Sequence, residues 1–304
     1  MTSHSALGYT ENGYLGQVIK VRLKLSAFPP ESLSFIMVGQ YLMKIAISGK
    51  GGVGKTLLAA LLSRAFAESG YSVIAIDADP DSNLAATLGF PHSEQITPVS
   101  ELNDLIEERT GARPGQVAPY FKLNPRVDDL PERYSLKYNG IKLMVMGRIK
   151  RGGTGCYCPE GALLQALITH LVLFRDEVVI LDMEAGIEHL GRATAKAVDK
   201  LIVVVEPGRR SLETADRINK LAKDIGLQNI AIVGNKLRSQ ADKEFLVSNL
   251  PNFEFLGFIP FDQAVVDADL ANLPVVNASQ QVITEVRNIY KALVSAVQTS
   301  GIAK

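Results

Sequence analysis

Gly49-Lys50-Gly51-Gly52-Val53-Gly54-Lys55-Thr56 fits the pattern G-x-x-x-x-G-K-[ST]. It lies between a short apolar run, Ile45–Ile47, and a stretch with helical periodicity, Thr56–Ser69. Strand, loop and helix therefore stand in the order that the motif requires. The glycines let the backbone curl until its N–H groups converge on phosphate oxygens. The helix that follows adds the positive end of its dipole. Lys55 is placed for the β- and γ-phosphates and the Thr56 hydroxyl for Mg²⁺. Gly49, Lys50, Gly51, Gly52, Val53, Gly54, Lys55, Thr56 and Leu57 are thus candidate contacts of a bound nucleotide, with ATP and Mg²⁺ the expected ligands.

On either side of this loop the chain alternates. β-Branched runs at Val73–Ile76, Leu143–Met146, Val178–Leu181, Leu201–Val205, Ile230–Val233 and Phe255–Phe258 read as buried strands. Leu102–Arg109, Gly161–Phe174, Leu212–Ile225 and Val282–Val297 read as helices. Near-continuous apolar strands that alternate with helices predict an α/β fold of three layers, a mostly parallel sheet with helices on both faces. Thr110–Gly140, rich in turn residues, reads as an insertion in that pattern. Met43 directly precedes the first strand, so residues 43–304 form one expected domain. Residues 1–42 read as an upstream extension, either a start-site artefact or a docking arm.

Lys plus Arg number 32 and Asp plus Glu 32, so the chain lacks the basic surplus of a protein that binds nucleic acid. No apolar run is long enough to span a bilayer, and no secretory signal opens the chain. The expectation is a cytoplasmic protein without nucleic-acid or membrane partners. The two cysteines, Cys156 and Cys158, are too few for a disulfide framework.

Two carboxylates sit where a parallel sheet presents its ligand edge. Asp77-Ala78-Asp79-Pro80-Asp81 follows one strand, with Asp81 open to either a site role or a helix N-cap. Val178–Leu181 ends in Asp182, which would hold Mg²⁺ or its water. The cysteines are one residue apart in a glycine-rich loop, so in extended backbone both thiols face one way. Two thiolates do not close a tetrahedral site, but a homodimer would supply a second pair across its two-fold axis. Thiolates suit soft or borderline metals.

The loop, with its second lysine, Lys50, resembles the deviant phosphate-loop class of MinD, ParA and the nitrogenase iron protein. The resemblance implies that Lys50 crosses a homodimer interface to the partner's nucleotide. It implies that Asp79, in Asp79-Pro80, positions the attacking water and that Asn235, before Lys236, recognises adenine, with Pro260 packing the base. Gly152-Gly153 before Cys156-Tyr157-Cys158, and Ala185-Gly186-Ile187-Glu188-His189-Leu190, narrow the likeness to the CooC-type ATPases. That family implies Ni²⁺, with Zn²⁺ as competitor, held by the cysteines. Its implied partner is an apo-enzyme, carbon monoxide dehydrogenase or acetyl-CoA synthase, whose nickel centre it matures. The rivals are a MinD- or ParA-like positioning ATPase and an iron–sulfur reductase. The first needs a basic membrane helix or a DNA-binding surface, and the second needs more widely spaced cysteines.

Overall fold

Apolar runs too short for helices are most stable where both faces are covered, and the computed structural model shows them buried in that way. It describes residues 43–115, 120–147, 158–187 and 190–301. The elements, in chain order, begin with β1 (Lys44–Gly49), α1 (Lys55–Glu68), β2 (Val73–Ala78), α2 (Leu84–Leu88), α3 (Asn103–Thr110), α4 (Leu130–Tyr134), β3 (Leu136–Tyr138) and β4 (Ile141–Val145). They continue with α5 (Pro159–Phe174), β5 (Val178–Met183), α6 (Arg192–Lys196), β6 (Lys200–Val205), α7 (Arg209–Asp224) and β7 (Ile230–Leu237). The last are α8 (Gln240–Asn249), β8 (Glu254–Pro260), α9 (Gln263–Leu270) and α10 (Gln280–Gly301).

The eight strands form one sheet in the order β3-β4-β2-β5-β1-β6-β7-β8. Every pairing is parallel except β3 with β4, which is an antiparallel hairpin edge. The mostly parallel α/β expectation therefore holds. Alternate side chains of each strand go to opposite faces. Ile45, Ile47, Val73, Ala75, Ile180 and Ile202 pack with α1, α2 and α10. Ala46, Ile74, Ile76, Leu181, Val203 and Ile232 pack with α3, α5, α7 and α8. Among the described residues, no helix is long and apolar enough to cross a membrane.

The structure departs from the sequence pattern in several places. The region Thr110–Gly140, read as an insertion, contains α4 and β3, and β3 adds a strand to the sheet. α8 and α9 lack an apolar stripe and carried no periodic signal; α8 buries only Leu246, and α9 buries no residue fully. β7 does not stop at Val233 but runs through Asn235 and Lys236 to Leu237, and β8 ends on Pro260 itself. These polar strand ends are the edge where the site lies.

Candidate functional site

β1 is central in the sheet, and the chain leaves it towards β2 on one side and reaches β6 on the other. That reversal opens a crevice at the carboxyl ends of the strands. The phosphate loop fills the turn from β1 into α1. Gly54, at φ +95°, begins α1, and no side chain caps the helix. The first-turn amides are therefore left for a ligand, with the helix dipole behind them. A Cβ on Gly54 would lie 2.2 Å from Asn235 Nδ2, so both the backbone angle and the space there call for glycine.

Asn235 is 3% exposed, and its amide is engaged with the loop. Nδ2 donates to the Val53 carbonyl at 2.7 Å, and Oδ1 accepts the Lys236 N–H at 2.8 Å. Lys236, at φ +60° beside an irregularity in the β7–β8 register, donates from Nζ to the Gly52 carbonyl at 2.6 Å. A lysine in the left-handed region carries a strain of about 1–3 kcal/mol and persists only where its surroundings hold it. Here two of its nitrogens brace the site. The resemblance places Asn235 at the base; of its two amide contacts here, one goes to the loop at Val53 and the other to the Lys236 N–H beside it.

Lys55 is buried, and its Nζ lies 3.7 Å from Asp79 Oδ2. Asp79 Oδ1 accepts the Asp81 N–H at 3.0 Å. Asp81 is not the N-cap of the following helix. α2 starts at Leu84, and the Leu84 N–H donates to Asp77 Oδ2 at 2.9 Å. No motif gives Asp77 a role, although it lies two residues before Asp79. It is fully buried on β2, and burial pushes its carboxyl up to about 6 against the backbone N–H groups that stabilise the anion.

Register places Asp77 beside Asp182, and Asp182 beside Ile47 of β1. Asp182 is fully buried, and neither of its carboxylate oxygens has a hydrogen-bond partner. Burial pushes it up to about 7; the side chains of Thr56 and Lys55 oppose the rise, and Asp77 and Asp79 reinforce it. A buried carboxylate short of partners next to a hydroxyl matches the oxygen set a hard divalent cation takes. The donors present therefore fit Mg²⁺. Ser48, another residue no motif signalled, ties β1 to the loop after β5. Its hydroxyl donates to the carbonyls of Gly186 at 2.8 Å and Glu184 at 3.2 Å.

A cavity of about 780 Å³ runs from this loop to the end of β8. Gly51, Gly52, Lys55, Thr56, Leu57 and Asp79 line its phosphate end, and Glu184 and Ala185 also face it. Asn235, Pro260, Phe261, Val265 and Val266 line the other end. Ten of the predicted residues therefore share one cavity, since Gly54 and Lys236 also line it. Phe261 and the α9 residues joined them without any prior signal. Lys50 is turned to Glu206, with Nζ 3.0 Å from Oε1.

Cys156 and His189 lie outside the described residues. Cys158 is half-buried at the N-cap of α5, where its sulfur accepts the Gly161 N–H at 3.3 Å. Two residues on, Glu160 is buried, and its Oε2 has no hydrogen-bond partner. Among the described residues, no group of three or more His, Cys, Asp or Glu is placed to hold a metal ion.

Residues 44–275 match the family described as the CobQ/CobB/MinD/ParA nucleotide binding domain. The chain is 45% identical over 264 residues to the carbon monoxide dehydrogenase accessory protein CooC of Rhodospirillum rubrum, covering 86% of this chain and all of that one. It is 46% identical to an uncharacterized ATP-binding protein of Methanocaldococcus jannaschii, with 85% and 100% covered. In fold it is similar to the septum site-determining protein MinD of Pyrococcus horikoshii, complexed with Mg-ADP. There the TM-score is 0.59 at 21% identity, with 83% of this chain and 96% of that one covered.

Proposed function

The chain belongs to the CobQ/CobB/MinD/ParA nucleotide-binding family, in the company of CooC, and from that premise we propose an ATP-gated homodimer that delivers nickel to carbon monoxide dehydrogenase or acetyl-CoA synthase. The observation that carries the delivery reading is the likeness to CooC, which spans the whole of that protein. The observation that carries the nucleotide chemistry is Asp182, buried and partnerless beneath the phosphate loop.

Phosphate oxygens are received by the amides of the loop and the first turn of α1. Lys55 gives up its long contact with Asp79 and neutralises the β- and γ-phosphates. Thr56 and Asp182 are the residues that would hold Mg²⁺. When bound, that ion supplies positive charge against the phosphates. Asp79, at the mouth of β2, orients the attacking water. Lys50 reaches the partner's nucleotide and stabilises charge developing on the transferred phosphoryl group, like an arginine finger supplied in trans. Asn235, Lys236 and Pro260 shape the base end, and Asn235 does so while fixing the loop. Its amide has a second N–H and a second lone pair to offer adenine.

The cargo ion is bound by Cys156 and Cys158 of both protomers, as Ni²⁺ with Zn²⁺ competing. Cys158 lies at the positive end of a 16-residue helix, which favours an anionic sulfur there. β4, from which the cysteine loop departs, is bonded to β2; the Met146 N–H donates to the Asp77 carbonyl at 2.8 Å. β4 thus ends beside the carboxylates of the nucleotide site, ahead of Cys156 and Cys158 in the chain.

The test is an anaerobic titration of Ni²⁺ and Zn²⁺ into wild type and Cys156→Ser/Cys158→Ser, with ADP and with ATP. One ion per dimer, lost in the double variant and altered by nucleotide, supports the reading. Binding that does not depend on the cysteines in any nucleotide state leaves the ATPase in place and removes nickel delivery.

A further inference from the structure

The order β1-β6-β7 brings three charges together at the carboxyl edge. Gly49 faces Val204, and Val205 faces Gly234, so Lys50, Glu206 and Lys236 leave three adjacent strands close to one level. Glu206 stands between the two lysines. Its Oε1 is 3.0 Å from Lys50 Nζ, and its Oε2 is 3.8 Å from Lys236 Nζ. The Glu206 N–H is itself anchored on the Ser211 hydroxyl at 3.1 Å, at the start of α7. Neither Lys50 nor Glu206 lines the nucleotide cavity, although Gly51 and Gly52 do. The second lysine of the loop is therefore held beside the phosphate site rather than in it.

We propose that Glu206 is a positioning residue that retains Lys50 in the single chain and releases it only to the γ-phosphate of a nucleotide carried by a second copy. This rests on the reading that Lys50 acts in trans. A carboxylate holds the ammonium in one direction without blocking it, because both side chains remain partly exposed, Lys50 at 37% and Glu206 at 25%. An ion pair in that environment is weak and exchangeable. A γ-phosphate carries more charge and more acceptor oxygens, so it outcompetes the carboxylate. Release does not strand Glu206, since Lys236 stays within reach of its other oxygen. With no γ-phosphate opposite, Lys50 has no better partner and returns. The pair thus weighs against closure of the dimer until the partner holds ATP.

Sedimentation equilibrium with a non-hydrolysable ATP analogue and Mg²⁺ tests this on wild type, Glu206→Gln, Lys50→Ala and the double variant. Two such pairs break per dimer, so Glu206→Gln is expected to tighten the dimer by about 3- to 10-fold. A merely structural role would weaken it. In the Lys50→Ala background the same substitution should change nothing, because the two residues act as one unit. Affinity of Glu206→Gln for ADP should equal that of wild type. Three results overturn the inference alone: an unchanged dimer constant, the same shift without Lys50, or weakened ADP binding. If Lys50→Ala dimerises and hydrolyses ATP as wild type does, the action of Lys50 in trans falls, and the inference falls with it.

Discussion

Two buried carboxylates, Glu177 at the amino end of the sheet and Asp182 at its carboxyl end, are treated in opposite ways. At the amino end, Glu177 is buried and fully engaged. Lys142 Nζ lies 2.5 Å from its Oε1, Arg175 lies 2.6 Å from its Oε2, and Ser72 donates to it as well. Lys44 gives its Nζ to two backbone carbonyls and its N–H to Asp199. Burial works to raise the Glu177 carboxyl, but the hydrogen bonds from Lys142 and Arg175 hold it below the usual range. At the carboxyl end, Asp182 has no partner and is pushed up to about 7. The difference separates structure from site. A protein that is merely stable satisfies its buried carboxylates, and one that awaits a cation leaves them open.

The largest expected effect strikes the amino end. Glu177→Ala removes the buried anion from Lys142 and Arg175, which keep only the more exposed Glu132, and should cost about 3 kcal/mol in urea unfolding, while nucleotide affinity stays as in wild type. If affinity falls with stability, the two ends are not separate. Next comes Lys55→Ala, which should lower phosphate release by about 10²–10³-fold with little change in the unfolding midpoint. Smaller again is Gly54→Ala. Its Cβ would meet Asn235 Nδ2, and the strain of about 1–3 kcal/mol should appear as weakened ADP binding by calorimetry.

Much of this comparison was legible beforehand, for a physical reason. Buried parallel strands must be apolar throughout, so β1, β2, β5 and β6 stood out as runs, and the phosphate loop fixed which of them came first. The same signal fails where strands meet the ligand. Asn235 and Lys236 lie within β7 but break its apolar run, so the apolar pattern ends at Val233 while the strand continues to Leu237. α9 faces the cavity on one side and water on the other and leaves no buried stripe to count. Partner choice was equally hidden. A sequence shows that Asn235 can donate and accept, but only the approach of the loop to β7 assigns its Nδ2 to Val53. Glu206 belongs to no motif. It emerges only from the neighbouring positions of β1, β6 and β7.

Counted per pH unit, the smallest effect sharpens the comparison through pH. Asp182 binds its proton more tightly in the fold than in the unfolded chain. Its contribution is fully present below its ordinary value near 3.8 and is lost as pH rises through about 7. The ligand-free protein should therefore lose up to about 1.4 kcal/mol per pH unit from this group within that window. Glu177 has the opposite sign, since a depressed carboxyl loses its contribution as pH falls. Thermal melts of wild type and Asp182→Asn between pH 5 and pH 8, run with and without Mg-ADP, read the difference. The variant should flatten the slope, and Mg-ADP should protect wild type more at the alkaline end.

The measurement that bears most directly on the ATP-gated metal site is the Ni²⁺ affinity of the dimer in two nucleotide states, with ADP and with a non-hydrolysable ATP analogue, under anaerobic conditions. Gating requires that the two affinities differ, and linkage then requires that bound Ni²⁺ shift the ratio of the two nucleotide affinities by the same factor. The account predicts a difference of at least about fivefold, the lower end of ordinary allosteric coupling. Equal Ni²⁺ affinity in the two states would contradict it, because hydrolysis would then have nothing to transmit to the cysteines.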